Sequence, residues 1–160
     1  MILEAPHKNL LVPENSQNGI LRSSFAEDYP LNILVAEDDF INQKLIGRIL
    51  TKLGYQSDIV SNGIQVLESL NNKEYNVILM DVLMPEMNGF EATQLIRKMS
   101  IEQPYIIAMT ANSMPQDKVE CLLAGMNDYI AKPMRLTEII KILKNAAVYV
   151  SGKNCIMLFN

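Results

Sequence analysis

The chain has 160 residues, room for one domain and its flanks, and 49% of them are apolar, which argues against general disorder. Its formal net charge of −4 argues against nucleic-acid and anionic-membrane partners, since both need a basic patch. No apolar run approaches the roughly 18 residues of a spanning helix, and Glu4 and Pro6 sit where a signal peptide needs apolar residues, so a cytoplasmic setting is expected.

Residues 1–29 mix Pro, Asn, Ser and Glu without periodicity and are expected to form a linker or flexible lead-in. From residue 30 to 150 short apolar runs alternate with helical patterns. The runs Ile33–Ala36, Asp58–Val60, Val77–Met80, Tyr105–Met109 and Tyr129–Ala131 suit strands buried on both faces of a parallel sheet. The second run is weak, as an edge strand would be. A stripe of Ile41, Leu45, Ile46, Ile49, Leu50 and Leu53 predicts the first helix, stopped by Gly54. Ile64, Val66, Leu67 and Leu70 mark the second, and Phe90, Leu95, Ile96 and Met99 the third. Val119, Leu122 and Leu123 mark the fourth, from near Pro115 to Gly125. Leu136, Ile139, Ile140, Ile142 and Leu143 mark the fifth, with Thr137 and Glu138 in its first turn. Five βα units in a row predict an α/β fold, an open parallel sheet covered on both faces by five helices. Residues 151–160 form a tail without an assigned element.

Cys121 and Cys155 make neither a disulfide framework nor a zinc site. The one histidine, His7, lies in the lead-in, so a Ser-His-Asp or Cys-His arrangement inside the fold is excluded unless that segment folds back.

Ligands of open parallel sheets bind beyond the carboxyl ends of the strands. The residues arriving there are Glu37, Asp38 and Asp39 after the first strand, Asp81 after the third, Thr110 after the fourth and Lys132 after the fifth. The second strand ends in Ser61-Asn62-Gly63, ordinary turn chemistry. Each residue alone has an ordinary meaning: a helix cap with first-turn acids, a turn aspartate, a strand-end threonine, a solvated lysine before Pro133. Their coincidence at one sheet edge carries the signal. Crowded carboxylates repel one another, and a divalent cation relieves that repulsion. All-oxygen ligands suit Mg²⁺ or Mn²⁺ rather than zinc. Metal, ammonium and hydroxyl together can surround a phosphoryl group in transfer, with a carboxylate as nucleophile.

The segments ILVAEDDFINQ, VILMDVLMPEMNGFEA, IIAMTAN and DYIAKP resemble the receiver domains of two-component response regulators and hybrid histidine kinases, over about residues 31–147. The resemblance implies a flavodoxin-like three-layer sandwich with strand order 2-1-3-4-5. It implies that Asp81 is the phosphoacceptor, that Glu37 and Asp38 hold Mg²⁺ together with Asp81 and the Leu83 carbonyl, and that Thr110, the Ala111 N–H and Lys132 bind phosphoryl oxygens. It also implies that Tyr129 is an aromatic switch and that the Lys132–Pro133 bond is cis. Asp39, where many hybrid-kinase receivers carry Asn, is expected either to begin the first helix or, as an extra acid, to tighten the metal site. Met84-Pro85 and Met87-Asn88-Gly89 fit the family loop, where Gly89 leaves room for the turn.

The implied partner is a histidine kinase or a histidine phosphotransfer protein, with no nucleic acid and no membrane contact by this domain. Such a domain promotes its own phosphorylation and dephosphorylation without being a stand-alone enzyme. The chain is expected to be either a single-domain regulator or a piece of a hybrid histidine kinase, and its motifs resemble the C-terminal receivers of the latter. Phe40 and Ile41 fall just beyond the acid pair, either as a docking rim or with Ile41 in the core. Three rivals compete. A pseudo-receiver would lack the intact acids, threonine and lysine. A flavodoxin would need a phosphate-cradling first loop instead of EDDF. An aspartate-nucleophile phosphatase would need an acid at position 83, which is Leu83.

Overall fold

The structure, a computed structural model, describes residues 24–112 and 114–157, with side chains through residue 153. Five strands, β1 (Ile33–Ala36), β2 (Ser57–Val60), β3 (Val77–Asp81), β4 (Tyr105–Thr110) and β5 (Asp128–Ala131), form one sheet. Its order is β2-β1-β3-β4-β5, and all four pairings are parallel. This is the expected flavodoxin-like arrangement, with weak β2 at an edge. Among the described residues six helices surround it: α1 (Phe25–Asp28), α2 (Phe40–Lys52), α3 (Gly63–Asn72), α4 (Gly89–Lys98), α5 (Pro115–Ala124) and α6 (Leu136–Met157).

Successive strand residues point to opposite faces, and this splits the core in two. Ile33, Val35, Val77, Leu79, Ile107 and Met109 face α1, α2 and α6, where Phe25, Ile46, Leu50, Ile139 and Leu143 meet them. Leu34, Ala36, Ile78, Met80, Ile106 and Ala108 face α3, α4 and α5, where Val66, Leu70, Ala92, Ile96 and Cys121 meet them. Burial of β1, β3 and β4 on both faces is why their sequences read as unbroken apolar runs.

The helices begin where side chains satisfy free backbone N–H groups. Asp39 accepts from Asn42 N, Asn62 from Gln65 N, and Asn88 from Glu91 N in a full capping box. Gly125 ends α5 at φ 101°, a backbone angle that favours glycine.

Three expectations change. The stretch 24–29, expected to belong to a flexible lead-in, carries α1. Phe25 is buried, with its ring 4.8 Å from that of Tyr29 and 6.1 Å from that of Tyr55. Ala26 N donates to Leu53 O, and the Tyr55 hydroxyl to Tyr29 O at 2.6 Å. The tail, given no element from sequence, continues the final helix as far as Met157. The Tyr149 ring packs at a tilt against Tyr105, centroids 5.0 Å apart, and Lys153 donates to Gln103 O, so contacts with the sheet's lower edge support the extra turns. Several stripe residues face solvent: Ile41, Leu45, Ile64, Leu95, Val119, Leu122 and Leu123. α5 buries the small Cys121 and Ala124 instead, because a helix packed closely against a sheet needs small side chains at the contact.

Candidate functional site

Parallel strands β1, β3 and β5 all end at the same edge of the sheet, and their last or next residues converge there. Glu37, Asp38 and Asp81 each offer a carboxylate oxygen within 4.8 Å of the others. Glu37 and Asp81 are buried and Asp38 is exposed. Lys132 joins them after β5: its Nζ donates to Asp81 Oδ2 at 2.9 Å and lies 2.7 Å from Glu37 Oε2. The Lys132–Pro133 bond is cis, as the resemblance implied.

Local structure fixes each acid. Glu37 N donates to Val60 O, which continues the β1–β2 ladder one step beyond the strand. Glu37 Oε1 accepts from Asp39 N at 3.2 Å and from Asn42 Nδ2 at 3.4 Å, so the start of α2 holds that oxygen. Oε2 is buried and faces the Lys132 ammonium at 2.7 Å, an ion-pair contact. Asp81 Oδ1 accepts from Leu83 N at 3.3 Å.

Burial is the main force on Asp81 and lifts its pKa from 3.8 to about 6. The Lys132 hydrogen bond opposes this, and the neighbouring Glu37 charge adds to it. Burial alone would lower Lys132, but its hydrogen bond to Asp81 and its contact with Glu37 outweigh that, and its net direction is upward. Two negative groups and one ammonium thus share a partly desolvated site. The three-oxygen cluster suits a small, hard divalent cation.

The remaining candidates stand around this group. Thr110 ends β4 one residue beyond Met109, the register partner of Asp81, but its hydroxyl donates to Asn112 O at 3.0 Å, within its own loop, and not to Asp81. Ala111 follows, exposed. Leu83 is 73% exposed, so only its backbone faces Asp81. Tyr129 is half-buried on the α5 side, with Lys118 Nζ 4.6 Å from its ring centre. Asp39 caps α2, as expected.

Sequence reasoning missed two supporting residues. The Gln43 side chain donates to Glu37 O at 2.6 Å and to Ser61 Oγ at 3.2 Å, tying the β1 and β2 loops together. Ser61 therefore does more than turn the chain. The available signal was a polar side chain in the first turns of α2, one turn before the buried Ile46 and close in sequence to the acids. The loop after Asp81 is braced similarly. Gly63 N donates to Met87 O, and Asn62 Nδ2 donates to Glu86 Oε2 at 3.1 Å. That holds Glu86 at φ 66°, an unusual angle for a residue other than glycine, within a tight turn closed by Met87 N and Pro85 O.

An open parallel sheet in this order, with acids and a lysine gathered beyond its carboxyl edge, defines a receiver-type signalling module. The chain belongs to the response regulator receiver domain family, whose pattern matches residues 33–144. It is 47% identical over 123 residues to hybrid signal transduction histidine kinase H of Dictyostelium discoideum, a match covering 74% of this chain. It is 35% identical to two-component response regulator 24 of Arabidopsis thaliana, covering 81% of this chain and 97% of that protein. The chain matches only 9% of the length of kinase H. Among solved structures, the receiver domain of a sensor histidine kinase from Pseudomonas aeruginosa PAO1 superposes with TM-score 0.67 and 41% identity. That match covers 73% of this chain and 97% of that one, which holds a magnesium ion in its active site cleft. The receiver domain of Saccharomyces cerevisiae Ssk1, co-crystallised with the histidine phosphotransfer protein Ypd1, gives TM-score 0.69 at 29% identity over 74% of this chain and 89% of its own. No described helix is long and apolar enough to cross a membrane.

Proposed function

We propose that Asp81 takes a phosphoryl group from a phosphohistidine on a histidine kinase or histidine phosphotransfer protein. The observation that carries this reading is the convergence of Glu37, Asp38, Asp81 and Lys132 at one sheet edge. An Asp81 carboxylate oxygen attacks phosphorus, the P–N bond to the imidazole breaks with its electron pair going to nitrogen, and a mixed anhydride forms. Glu37, Asp38, Asp81 and the Leu83 carbonyl would hold Mg²⁺, with Mn²⁺ as the alternative of similar oxygen preference. That cation supplies charge neutralisation at the acids and the phosphoryl oxygens. Lys132, already on Asp81, neutralises a further oxygen, and the Ala111 N–H donates to another. The Thr110 hydroxyl leaves Asn112 O to meet the new charge, and Tyr129 follows into the space it vacates. Water attack on phosphorus resets the domain.

The apolar rim fits this use. Phe40 is 64% and Ile41 74% exposed beside the acids, and Leu83 lies exposed across the site. Such a patch suits the helix surface that presents a phosphohistidine.

Acetyl phosphate with Mg²⁺ should add one phosphoryl mass to the protein, and Asp81→Asn should abolish it. Labelling of Asp81→Asn at the wild-type rate would defeat the assignment. Phe40→Ala should slow transfer from a histidine phosphotransfer protein and spare acetyl phosphate labelling; equal slowing of both would assign Phe40 to structure alone.

A further inference from the structure

We propose that the groove between α2 and the edge strand β2 docks an acidic amphipathic helix of a partner protein. This goes beyond the phosphoacceptor reading: the groove borders that site through Gln43 and through Lys44, whose Nζ lies 4.5 Å over the Phe40 ring, but its charge and floor come from other side chains. The groove has a volume of about 560 Å³, and its walls and floor include Lys44, Gly47, Arg48, Thr51, Lys52 and Ile59.

Its charge is one-sided. Lys44, Arg48 and Lys52 recur at four-residue spacing, so they stand one above another along a single face of α2. The helix contains no Asp or Glu, and among the described residues none of the three bases has a carboxylate within salt-bridge distance. The acid on β2, Asp58, turns to Lys73 at 2.6 Å and Tyr75 at 2.7 Å instead. An uncompensated basic ladder in a chain of net charge −4 is a local departure from the molecule's own charge.

Its floor is shaped for close approach. Gly47 lies inside α2, where glycine is unfavourable for the helix. A Cβ there would meet Ile59 Cδ1 at 3.3 Å, so glycine lets Ile59 lie low across the helix. Ile59 remains 37% exposed, and Thr51 is exposed one turn along from Gly47. An apolar floor beside a ladder of positive charge matches a helix with apolar anchors flanked by Glu or Asp every three or four residues. An added extended strand would gain only the four-residue edge of β2, and its side chains would not match the ladder spacing. A ladder of three bases is smaller than the cluster of roughly four to eight that marks an anionic lipid surface or a phosphate backbone, and its apolar floor has no use there.

The test titrates ¹⁵N-labelled protein with a helical peptide carrying Glu at every fourth position and Leu between. Chemical shift changes should map to α2 and to Ser57–Val60, and should weaken as salt rises. Arg48→Glu/Lys52→Glu should reduce affinity by about tenfold or more, since two attractions become repulsions. Both side chains are exposed, so the fold should survive, as circular dichroism would verify. Asp81 labelling by acetyl phosphate should stay at the wild-type rate in this variant, so loss of peptide binding and loss of the phosphoacceptor function remain distinguishable. The proposal is overturned if millimolar peptide causes no shifts, if the shifts lie elsewhere, or if a Lys-for-Glu peptide binds equally well. It is also overturned if phosphatidylserine vesicles or duplex DNA bind this face while the peptide does not.

Discussion

Replacing Asp81 by Asn should make the metal-free protein more stable, by an amount that grows with pH. Burial raises the Asp81 pKa from 3.8 to about 6. Between those values the native state binds more protons than the unfolded chain, so stability falls as pH rises through that window. A difference of roughly two units at about 1.4 kcal/mol each amounts to about 3 kcal/mol once pH exceeds the folded value. Asparagine has nearly the same shape and does not titrate. Its weaker hydrogen bond to Lys132 sets an offset, while most of the pH-dependent part comes from the carboxylate beside Glu37 and Lys132. Linkage puts that part at about 1 kcal/mol near pH 4.5 and about 3 kcal/mol near pH 7.5.

The assay is urea unfolding of both proteins in EDTA at the two pH values. The variant's advantage should widen by about 2 kcal/mol between them. A constant or shrinking advantage would refute the view that Asp81 is strained by burial beside Glu37. Adding Mg²⁺ at the higher pH should stabilise the wild type and narrow the gap, because a cation favours the ionised form.

Asp38→Ala should weaken Mg²⁺ binding by about tenfold or more in titration calorimetry while leaving the fold intact, since Asp38 is the exposed member of the cluster; unchanged affinity would remove it from the cation site. Gly89→Ala should destabilise by about 2 kcal/mol despite alanine's better helix propensity. Its Cβ would collide with the Asp81 carbonyl oxygen and lie 3.0 Å from Met80 Cγ, and urea midpoints would register the loss. Arg97→Met should cost about 3 kcal/mol. The guanidinium donates to Gly125 O, Gln103 Oε1, Pro104 O and Asn127 Oδ1, and the variant would leave those acceptors partly buried without it. A loss below about 1 kcal/mol would mean that water replaces the guanidinium.

The sheet was legible because three strands are buried on both faces and so write unbroken apolar runs, with β2 betraying its edge by weakness. The acids and Lys132 were legible because a parallel sheet delivers every strand end to one side, so position in sequence becomes position in space. Helix faces were less so. Val119, Leu122 and Leu123 read as a buried stripe, yet α5 packs through Cys121 and Ala124. Apolar spacing locates a helix but does not say which side meets the sheet when small residues make the contact. α1 is four residues long, too short for any period to register. The turn of Thr110 toward Asn112 follows from loop geometry, which motif spacing does not encode.

The way α1 and α6 flank the sheet has a consequence for wiring. α1 is latched beside Leu53 and Tyr55, just ahead of β2, and the far turns of α6 rest on Gln103 and Tyr105, just ahead of β4. Both therefore lie at the pole opposite the acids. A longer polypeptide threaded through this domain would enter and leave on the same side, as a plug-in card meets its slot. The working face would then swing free toward incoming partners. Lengthening or shortening either connection would change the reach of that face without altering its chemistry.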